Sequence, residues 1–272
     1  MPELPEVETV RNVLLKKIKN KKIVSSEIYH NNIIENDIKY FEETIKNKSI
    51  IDIKRNGKYL IFELEDKYLI SHLRMEGKFY YNEDKVEKTK HDHVIINFEN
   101  DNNLVYNDTR KFGKMRIIDK EEYDDYFKKI GLEPKDLTEE YLIEKFKKSN
   151  KSIKTVLLDQ SIIAGLGNIY ANEVLFESKI DPLKKGSEIT REEINNIITS
   201  SQNIIEKSIK EGGCTIKSYT SSLGVTGNYQ TFLKVHLQSN CKDCGSEIIK
   251  EKIDGRSTYY CLNCQRNKKK IQ

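Results

Sequence analysis

The sequence lacks the features by which membrane and secreted proteins are usually recognised. None of its 272 residues belongs to a run approaching the roughly 18 consecutive apolar residues that a membrane-spanning helix needs. The chain also does not open with the basic and then apolar segments of a signal peptide. We therefore expect a soluble cytoplasmic protein that has no membrane partner.

The composition, 37% hydrophobic and 33% charged, is typical of a globular protein with a densely charged surface, and the length suffices for two domains or one large one. The net charge of +4 lies entirely in residues 241–272, because the first 240 residues hold equal numbers of basic and acidic side chains. A basic tail favours a polyanionic partner, nucleic acid first, although it could equally serve solubility alone.

The first half of the chain combines one helix with many short strands. Apolar residues recur at helical spacing from Pro5 to Lys19, namely at Val7, Val10, Leu14 and Ile18. Short β-branched and aromatic runs then follow at 21–29, 49–55, 58–65, 67–74, 93–99, 103–107 and 114–119. So many strands predict a β-sandwich or barrel over roughly residues 20–118.

The second half changes to a helical period. Helices are predicted at 121–131, 138–148, 151–160, 168–178 and 190–210. A loop rich in Ser, Thr and Gly at 217–228 precedes a final strand and the cysteine segment. We therefore predict an α+β protein with a helix and β-sandwich domain (1–130), a helical domain (131–235) and a C-terminal finger (236–272).

Four of the five cysteines form two C-x2-C pairs, Cys241 with Cys244 and Cys261 with Cys264. This spacing predicts one structural zinc ion held by four thiolates, and two disulfides are the alternative. The residues between the pairs predict a β-hairpin that turns at Asp254-Gly255. Arg256 follows the turn, either as a group that binds a groove or phosphate or as a solvated arginine.

A series of motifs, in order from residue 1 to about 265, resembles formamidopyrimidine-DNA glycosylase, the bacterial repair family for oxidised purines. The motifs are MPELPEVET, RNGKYLIFEL, HLRMEGKF, KHDHV, NDTRKFG, LLDQSIIAGLGNIYANE, GGCTI and GRSTYYCLNCQ. The PELPE opening is similar to the purine-directed branch rather than to the endonuclease VIII enzymes, which typically open PEGPE. The chain departs from the family's usual form at Thr109, Lys111, Cys214 and the segment KVHLQ.

The resemblance implies that Pro2 is the nucleophile once Met1 has been removed. An α-amino group has a pKa of about 7.7–8.0, so part of it is neutral at neutral pH. Its attack on C1′ of a nucleoside would release the base and leave an iminium ion, from which strand cleavage follows. Glu3 would act as the proton donor, and Glu6 would hold the N-terminus. Without the resemblance, Glu3 and Glu6 would be ordinary charges of a helix N-terminus.

Further roles are implied by the same motifs. Lys58 would contact the damaged nucleotide or its phosphate and assist β-elimination, and Arg256 would act in δ-elimination. Met75, Arg110 and Phe112 would fill the space left by a flipped nucleotide, with Arg110 reading the orphaned cytosine. Taken alone, a Met and a Phe of this kind more often belong to a core.

Phosphate contacts are implied at Lys151, Lys154, His91 and Asn168, the last at the start of a helix in a helix–two-turn–helix. For His91, a structural role in a strand is the alternative. The loop at 217–228 would cover the flipped purine.

Three functions therefore remain open. The first is a glycosylase and AP lyase for oxidised purines in duplex DNA, and the second is the same chemistry on oxidised pyrimidines. The third is a non-catalytic DNA-binding zinc protein, which would predict loss of Pro2, Glu3 or Lys58, and all three are present. In each case we expect a monomer with one zinc ion and no organic cofactor.

Overall fold

The computed structural model describes residues 1–214 and 227–265. Within these residues the chain forms two compact units. The first comprises Met1–Lys128 together with residues 212–214 and 227, and the second comprises residues 129–211 and 228–265. The three predicted domains, divided at 130/131 and 235/236, stay a prediction. Most of the predicted covering loop, residues 217–226, lies outside the described residues.

Helix α1 (Leu4–Ile18) opens the first unit, as predicted. Pro5 occupies its first turn, where the missing N–H is not needed, and the Glu6 carboxylate accepts the N–H of Glu3 at 2.8 Å. The predicted apolar stripe faces the core, with Val7, Val10, Leu14 and Ile18 all buried. The start of the chain is therefore packed into the unit instead of fraying into solvent.

Two antiparallel four-stranded sheets form the predicted β-sandwich, with strand orders β2-β3-β4-β8 and β1-β6-β7-β5. The strands are β1 (Ile23–Ile28), β2 (Asp52–Asn56), β3 (Tyr59–Glu63), β4 (Lys67–His72), β5 (Lys78–Asn82), β6 (Asp92–Phe98), β7 (Asn103–Asn107) and β8 (Lys114–Asp119). Their inner faces share one core with α1, in which Phe62 of the first sheet and Phe79, Phe98 and Tyr106 of the second are buried.

Two elements of the first unit were not predicted. Strand β5 follows Gly77 and pairs with β7 at the edge of its sheet. Its five residues are a short pattern from which to predict a strand. Helix α2 (Ile38–Ile45) is capped by Asp37 and buries Phe41 and Ile45. The predicted helix at 121–131 is shorter than expected, since only α3 (Tyr123–Phe127) forms there.

The second unit is helical and ends in a β-hairpin. Its helices are α4 (Glu139–Phe146), α5 (Ile153–Leu158), α6 (Asn168–Glu177) and α7 (Arg191–Lys210), and the hairpin consists of β9 (Ile249–Ile253) and β10 (Arg256–Tyr260). Helices α4 to α7 and the hairpin confirm the predicted elements. The predicted final strand before the cysteines is wrong, because Tyr229–Phe232 forms a 3-10 turn.

Helix α7 buries small polar residues as well as the predicted isoleucines. Ile194, Ile197 and Ile205 are buried, whereas the remaining isoleucines of the predicted stripe are only partly covered. Three serines complete the buried face, and one of them, Ser208, hydrogen bonds the hydroxyl of Tyr170 on α6 at 2.6 Å. Small side chains here allow α6 and α7 to approach closely.

Among the described residues, no helix is both long and apolar enough to cross a membrane.

Candidate active site and zinc centre

The first residues of the chain form a buried polar cluster in the first unit. Pro2 is buried, and Glu3 and Glu6 are only 2% and 4% exposed. One carboxylate oxygen of Glu6 accepts the N–H of Glu3 at 2.8 Å, and the other accepts the N–H of Cys214 at 2.7 Å. Because carboxylates are rarely enclosed without a structural or chemical reason, this cluster is a candidate catalytic site.

The surroundings of the chain start favour a neutral amine. The pKa of the α-amine, which belongs to Met1 in this structure, is lowered from its ordinary value, chiefly because the amine is buried. The carboxylates of Glu3, Glu6 and Glu76 oppose the shift, and the charge of Lys58 adds to it. Lys58, which stands just before β3, is itself only 5% exposed. The structure thus brings together the predicted residues Glu3, Glu6 and Lys58 around the amine.

A buried aspartate, Asp108, organises the loop that carries Arg110 and Phe112. Its carboxylate accepts the N–H of Arg110 at 3.0 Å and those of Phe112 and Gly113 at 2.9 Å each. The Arg110 guanidinium lies 4.7 Å above the exposed Phe112 ring. The loop therefore presents an arginine and an aromatic ring to solvent from a fixed base. Asp108 was missed in the sequence analysis, although it is the second residue of the NDTRKFG motif.

Replacing Asp108 with asparagine should lower the free energy of unfolding by about 2–3 kcal/mol, because an amide N–H₂ would face backbone donors in a buried site. Urea unfolding measures this loss. The control is Asp66→Asn, since Asp66 is half-exposed and makes only a surface ion pair with Lys48, worth about 1 kcal/mol or less. Equal losses in the two variants would show that Asp108 does not organise the loop.

The other predicted DNA contacts of the first unit are Met75 and His91. Met75 lies half-buried after β4 and follows Arg74, whose φ is 54°. His91 is also half-buried, and its Nδ1 is enclosed without a hydrogen-bond partner among the described residues. By contrast, His93 is buried and its Nε2 hydrogen bonds the Asp108 carbonyl at 2.8 Å. His93 is thus structural, whereas a contact of His91 with DNA stays a prediction.

In the second unit, the N-terminus of α6 lies beside a buried lysine. Lys154 has no exposed surface, and its Nζ donates to the Asn168 carbonyl at 3.1 Å and to the side chain of Asn172. The Asn168 amide donates to the carbonyl of Ser257 in the hairpin at 2.8 Å, while its Oδ1 is buried without a partner among the described residues. Lys151 is exposed just before α5. Direct phosphate contacts by these residues stay predictions.

The segment KVHLQ is bound tightly to α6. The buried carboxylate of Glu173 accepts the N–H groups of Lys234, Val235 and His236 at 2.7 to 3.0 Å, and burial raises the pKa of this carboxyl. Asn172 accepts from Lys154, so its amide donates to Nδ1 of His236 at 2.8 Å. The His236 proton therefore resides on Nε2. Burial, followed by the charge of Lys154, lowers the pKa of His236 to about 4.

Acid should destabilise the protein through His236. Its pKa of about 4 lies below the value of about 6.5 of an unfolded histidine, so the unfolded chain binds the proton first as the pH falls. Stability from this group is complete above about pH 6.5 and is lost towards pH 4, by at most about 1.4 kcal/mol per pH unit. Urea unfolding at several pH values should show a shallower slope for His236→Gln, and an unchanged slope would contradict this assignment.

The hairpin is anchored to α5 at its tip. Asp254 and Gly255 form the predicted turn with φ values of 45° and 82°. The Asp254 carboxylate accepts from Ser152 at 3.2 Å and from Thr155 at 2.5 Å. Arg256 is exposed immediately after the turn. These contacts fix the position of the arginine within the second unit, a role of Asp254 that its place in a turn had not indicated.

The four cysteines Cys241, Cys244, Cys261 and Cys264 come together at the base of the hairpin, with all four sulfurs within 4.8 Å of one another. Zn–S bonds of about 2.3 Å in a tetrahedron place sulfur atoms about 3.8 Å apart, and two measured separations are 3.8 and 3.5 Å. The donor set and its size fit one zinc ion. The four sulfurs fill a tetrahedron, so the site is structural. The fifth cysteine, Cys214, lies in the other unit.

Comparisons with known proteins agree over the whole length. Family models match residues 1–115 (formamidopyrimidine-DNA glycosylase N-terminal domain), 130–220 (formamidopyrimidine-DNA glycosylase H2TH domain) and 240–267 (zinc finger found in FPG and IleRS). The formamidopyrimidine-DNA glycosylase of Streptococcus pneumoniae is 42% identical, with 98% of this chain and 99% of that protein covered. That of Ureaplasma parvum is 43% identical, with 97% and 100% covered.

Solved structures give the same result. Lactococcus lactis Fpg in complex with DNA containing an abasic site matches with a TM-score of 0.93 at 43% identity, covering 97% of this chain and all of that one. A variant of the same enzyme with Fapy-dG-containing DNA also gives 0.93, at 42% identity with 98% and 100% covered. The predicted resemblance is confirmed: the chain belongs to the formamidopyrimidine-DNA glycosylase family and carries that family's zinc finger.

Proposed function

We propose that this protein is a bifunctional DNA glycosylase and AP lyase that removes oxidised purines, formamidopyrimidines and 8-oxoguanine, from duplex DNA. The observation that carries the proposal is the buried cluster at the chain start, where Pro2, Glu3, Glu6 and Lys58 are all enclosed. Burial lowers the pKa of the α-amine there, which is that of Met1 in this structure, and a Pro2 amine in the same surroundings would be a competent nucleophile when neutral. The relatives named above, and the lesion-containing DNA bound by the Lactococcus enzyme, support the substrate class.

The first step is base release by the secondary amine of Pro2, after removal of Met1. The amine nitrogen bonds to C1′ of the damaged nucleotide, and the C1′–N bond to the base breaks with its electron pair. Two protons are needed, one for the departing base and one for the ring oxygen when its bond to C1′ breaks. Glu3 supplies one, and the proton that the amine loses after bonding to C1′ supplies the other, so that the ring opens to give an iminium ion. Glu3 is only 2% exposed and follows Pro2 directly, so its carboxyl group is held near the reacting atoms. A positioned acid of this kind typically raises the rate by about 10²- to 10⁴-fold.

The second step is strand cleavage from the iminium ion. The positively charged carbon acidifies the C2′ proton, so a base removes that proton and the 3′ phosphate departs with the electron pair of its C–O bond. A second elimination releases the 5′ phosphate, and water then frees the amine. Lys58 assists the first elimination, and its ammonium, near the amine, can also compensate the charge of a phosphate. Arg256 assists the second from the hairpin tip.

The loop organised by Asp108 fills the duplex when the damaged nucleotide is flipped out. Phe112 is half-exposed, although a phenylalanine ring would normally be buried, and Asp108 holds its backbone in place. An apolar wedge between base steps compensates for lost stacking. Arg110 offers donors to the orphaned cytosine, and Met75 completes the filled space.

The remaining basic and polar residues contact phosphates. Lys151 is exposed and His91 is partly exposed. Asn168 stands at the N-terminus of α6, where backbone N–H groups favour anions. Lys154 is buried behind the start of α6, where its ammonium donates to the Asn168 carbonyl and adds positive charge near the phosphate. The zinc ion keeps the hairpin folded, so that Arg256 is presented. Because its substrate is chromosomal DNA, we place the protein in the bacterial cytoplasm.

A substrate panel tests the proposed function. Purified protein is incubated with duplexes that contain formamidopyrimidine or 8-oxoguanine opposite cytosine, thymine glycol opposite adenine, or a preformed abasic site. We expect cleavage of both purine lesions and of the abasic site, with phosphate at both ends of the gap as β,δ-elimination requires. Cleavage of thymine glycol with the purine lesions intact would instead assign the protein to oxidised pyrimidines.

A non-catalytic DNA-binding protein is the remaining alternative. It would bind these duplexes, with affinity falling steeply as salt rises, but would cleave none of them, not even the abasic site. Such a result with zinc bound and Met1 removed would refute the proposed enzyme.

A further inference from the structure

The Glu6 carboxylate lies between two segments of the first unit that are more than 200 residues apart in sequence. One oxygen accepts the N–H of Glu3 at 2.8 Å, and the other accepts the N–H of Cys214 at 2.7 Å. All three residues are at most 4% exposed. Both oxygens thus accept from backbone N–H groups, and the carboxylate joins the chain start to the segment after α7.

The segment after α7 leaves no room for a side chain at Gly213. A Cβ atom there would lie 2.7 Å from Oε1, 3.0 Å from Cγ and 3.2 Å from Cδ of Glu6. The φ of Gly213 is 79°, a conformation that L residues rarely adopt. The space that a side chain at position 213 would need is therefore filled by the Glu6 carboxyl group, and only glycine leaves that space to it.

A second glycine, Gly227, packs against the backbone of Gly213. A Cβ on Gly227 would lie 2.3 Å from the Gly213 carbonyl oxygen and 2.6 Å from that of Gly212. Gly213 is therefore in close contact with Gly227 through its carbonyl group as well as lying beside Glu6.

We propose that Gly213 is a positioning residue of the active site, which sets the Glu6 carboxylate and, through it, Glu3 and the nucleophilic amine. The inference rests on the proposed function, because it concerns the same site. Gly213 acts through Glu6 and touches neither substrate nor reacting atoms. Glycine is needed at position 213 because the Glu6 carboxylate fills the space of a side chain there. One oxygen of that carboxylate accepts the Glu3 N–H, and the other accepts the Cys214 N–H.

The test begins with Gly213→Ala, followed by single-turnover excision and by DNA binding to an uncleavable abasic-site analogue. A shift of about 1 Å at a reacting group can cost about 100-fold in rate, and we expect a loss of this size. DNA affinity should stay within about threefold, because no predicted DNA contact is altered. Gly245→Ala is the control for backbone strain, since its φ of 74° is similar but no atom lies within 4 Å of the new Cβ. Because Gly245 follows the zinc ligand Cys244, this control is used only with its zinc content confirmed at the level of the unmodified protein.

A double-mutant cycle with Glu6→Ala separates the proposed contact from backbone strain. With the carboxylate removed, the Cβ at position 213 has nothing to displace, so Gly213→Ala should then change the excision rate by less than about threefold. If it costs the same factor in both backgrounds, the inference is overturned. Should Gly213→Ala fold poorly, the same cycle is measured in free energies of unfolding, with the same two outcomes.

The pH profile provides a second readout. The charge of Glu6 raises the pKa of the α-amine, which is that of Met1 in this structure. If it acts in the same way on the Pro2 amine, moving the carboxylate away should lower the pKa of that amine and move the acidic limb of the rate profile to lower pH. An unchanged profile in Gly213→Ala would contradict the proposal. These outcomes are distinct from failure of the proposed function, in which the unmodified protein itself would excise no base.

Discussion

Replacement of Glu3 by glutamine is expected to lower the rate of base excision by about 10²- to 10⁴-fold, the usual contribution of a positioned proton donor. Glutamine keeps the size of the side chain and cannot supply a proton in this way. Glu3 is 2% exposed and follows Pro2 directly, so no solvent-borne acid replaces it easily. Binding to lesion DNA should change less than threefold, as the general acid acts mainly in the transition state.

The preformed abasic site separates the two steps in the Glu3 variant. Since no base has to depart from such DNA, strand cleavage should fall less than base excision. Glu8→Gln is the control, because Glu8 lies on the same helix and pairs with Arg11 and Arg55 outside the chain-start cluster. Excision that is equally slow in both variants would show that loss of helix charge, and not of the proton donor, causes the effect.

Replacement of Cys261 by alanine is expected to remove the zinc ion and with it the folded hairpin. Apparent zinc binding contributes about 10–16 kcal/mol in zinc-finger peptides, which are unfolded without the metal. Cys261 is fully buried in a small apolar cluster with Phe176, Val235 and Ile248, so the hairpin has little hydrophobic core of its own to replace the metal. Loss of the hairpin should lower DNA affinity by about 100-fold, as its phosphate contacts disappear.

Zinc content and DNA affinity should be measured together on the purified variant. The control is Cys214→Ala, because Cys214 lies outside the four-cysteine cluster. This variant should still bind one zinc ion per chain. A Cys261 variant that retains zinc would contradict the four-cysteine site. A variant that loses zinc yet binds lesion DNA normally would show that the finger is dispensable for binding.

Most of the fold could be predicted because its signals are local. The apolar spacing from Val7 to Ile18 defines α1, and the Asp254-Gly255 turn between two short strands defines the hairpin. Helix α2 was predictable in principle, since Asp37 caps it and Phe41 and Ile45 have helical spacing. Strand β5 had a weaker signal, as only one neighbour pairs with it.

The supporting residues of the site could not be predicted in the same way. Pro2, Glu3 and the four cysteines stand in recognisable motifs, whereas Asp108 acts through three backbone N–H groups that only the folded loop brings around it. Gly213 meets Glu6 across more than 200 residues of sequence. Such roles depend on tertiary contacts, so they cannot be predicted from residue spacing in the sequence.

Covalent trapping of the iminium ion tests the central claim most directly. The protein is incubated with a duplex that contains 8-oxoguanine opposite cytosine, borohydride is added, and the covalent complex is measured by gel shift and its attachment site by mass spectrometry. We predict one cross-link, at the nitrogen of Pro2, which is absent in Pro2→Gly. A cross-link at Lys58 or any other amine, or none despite bound zinc and removed Met1, would contradict the account.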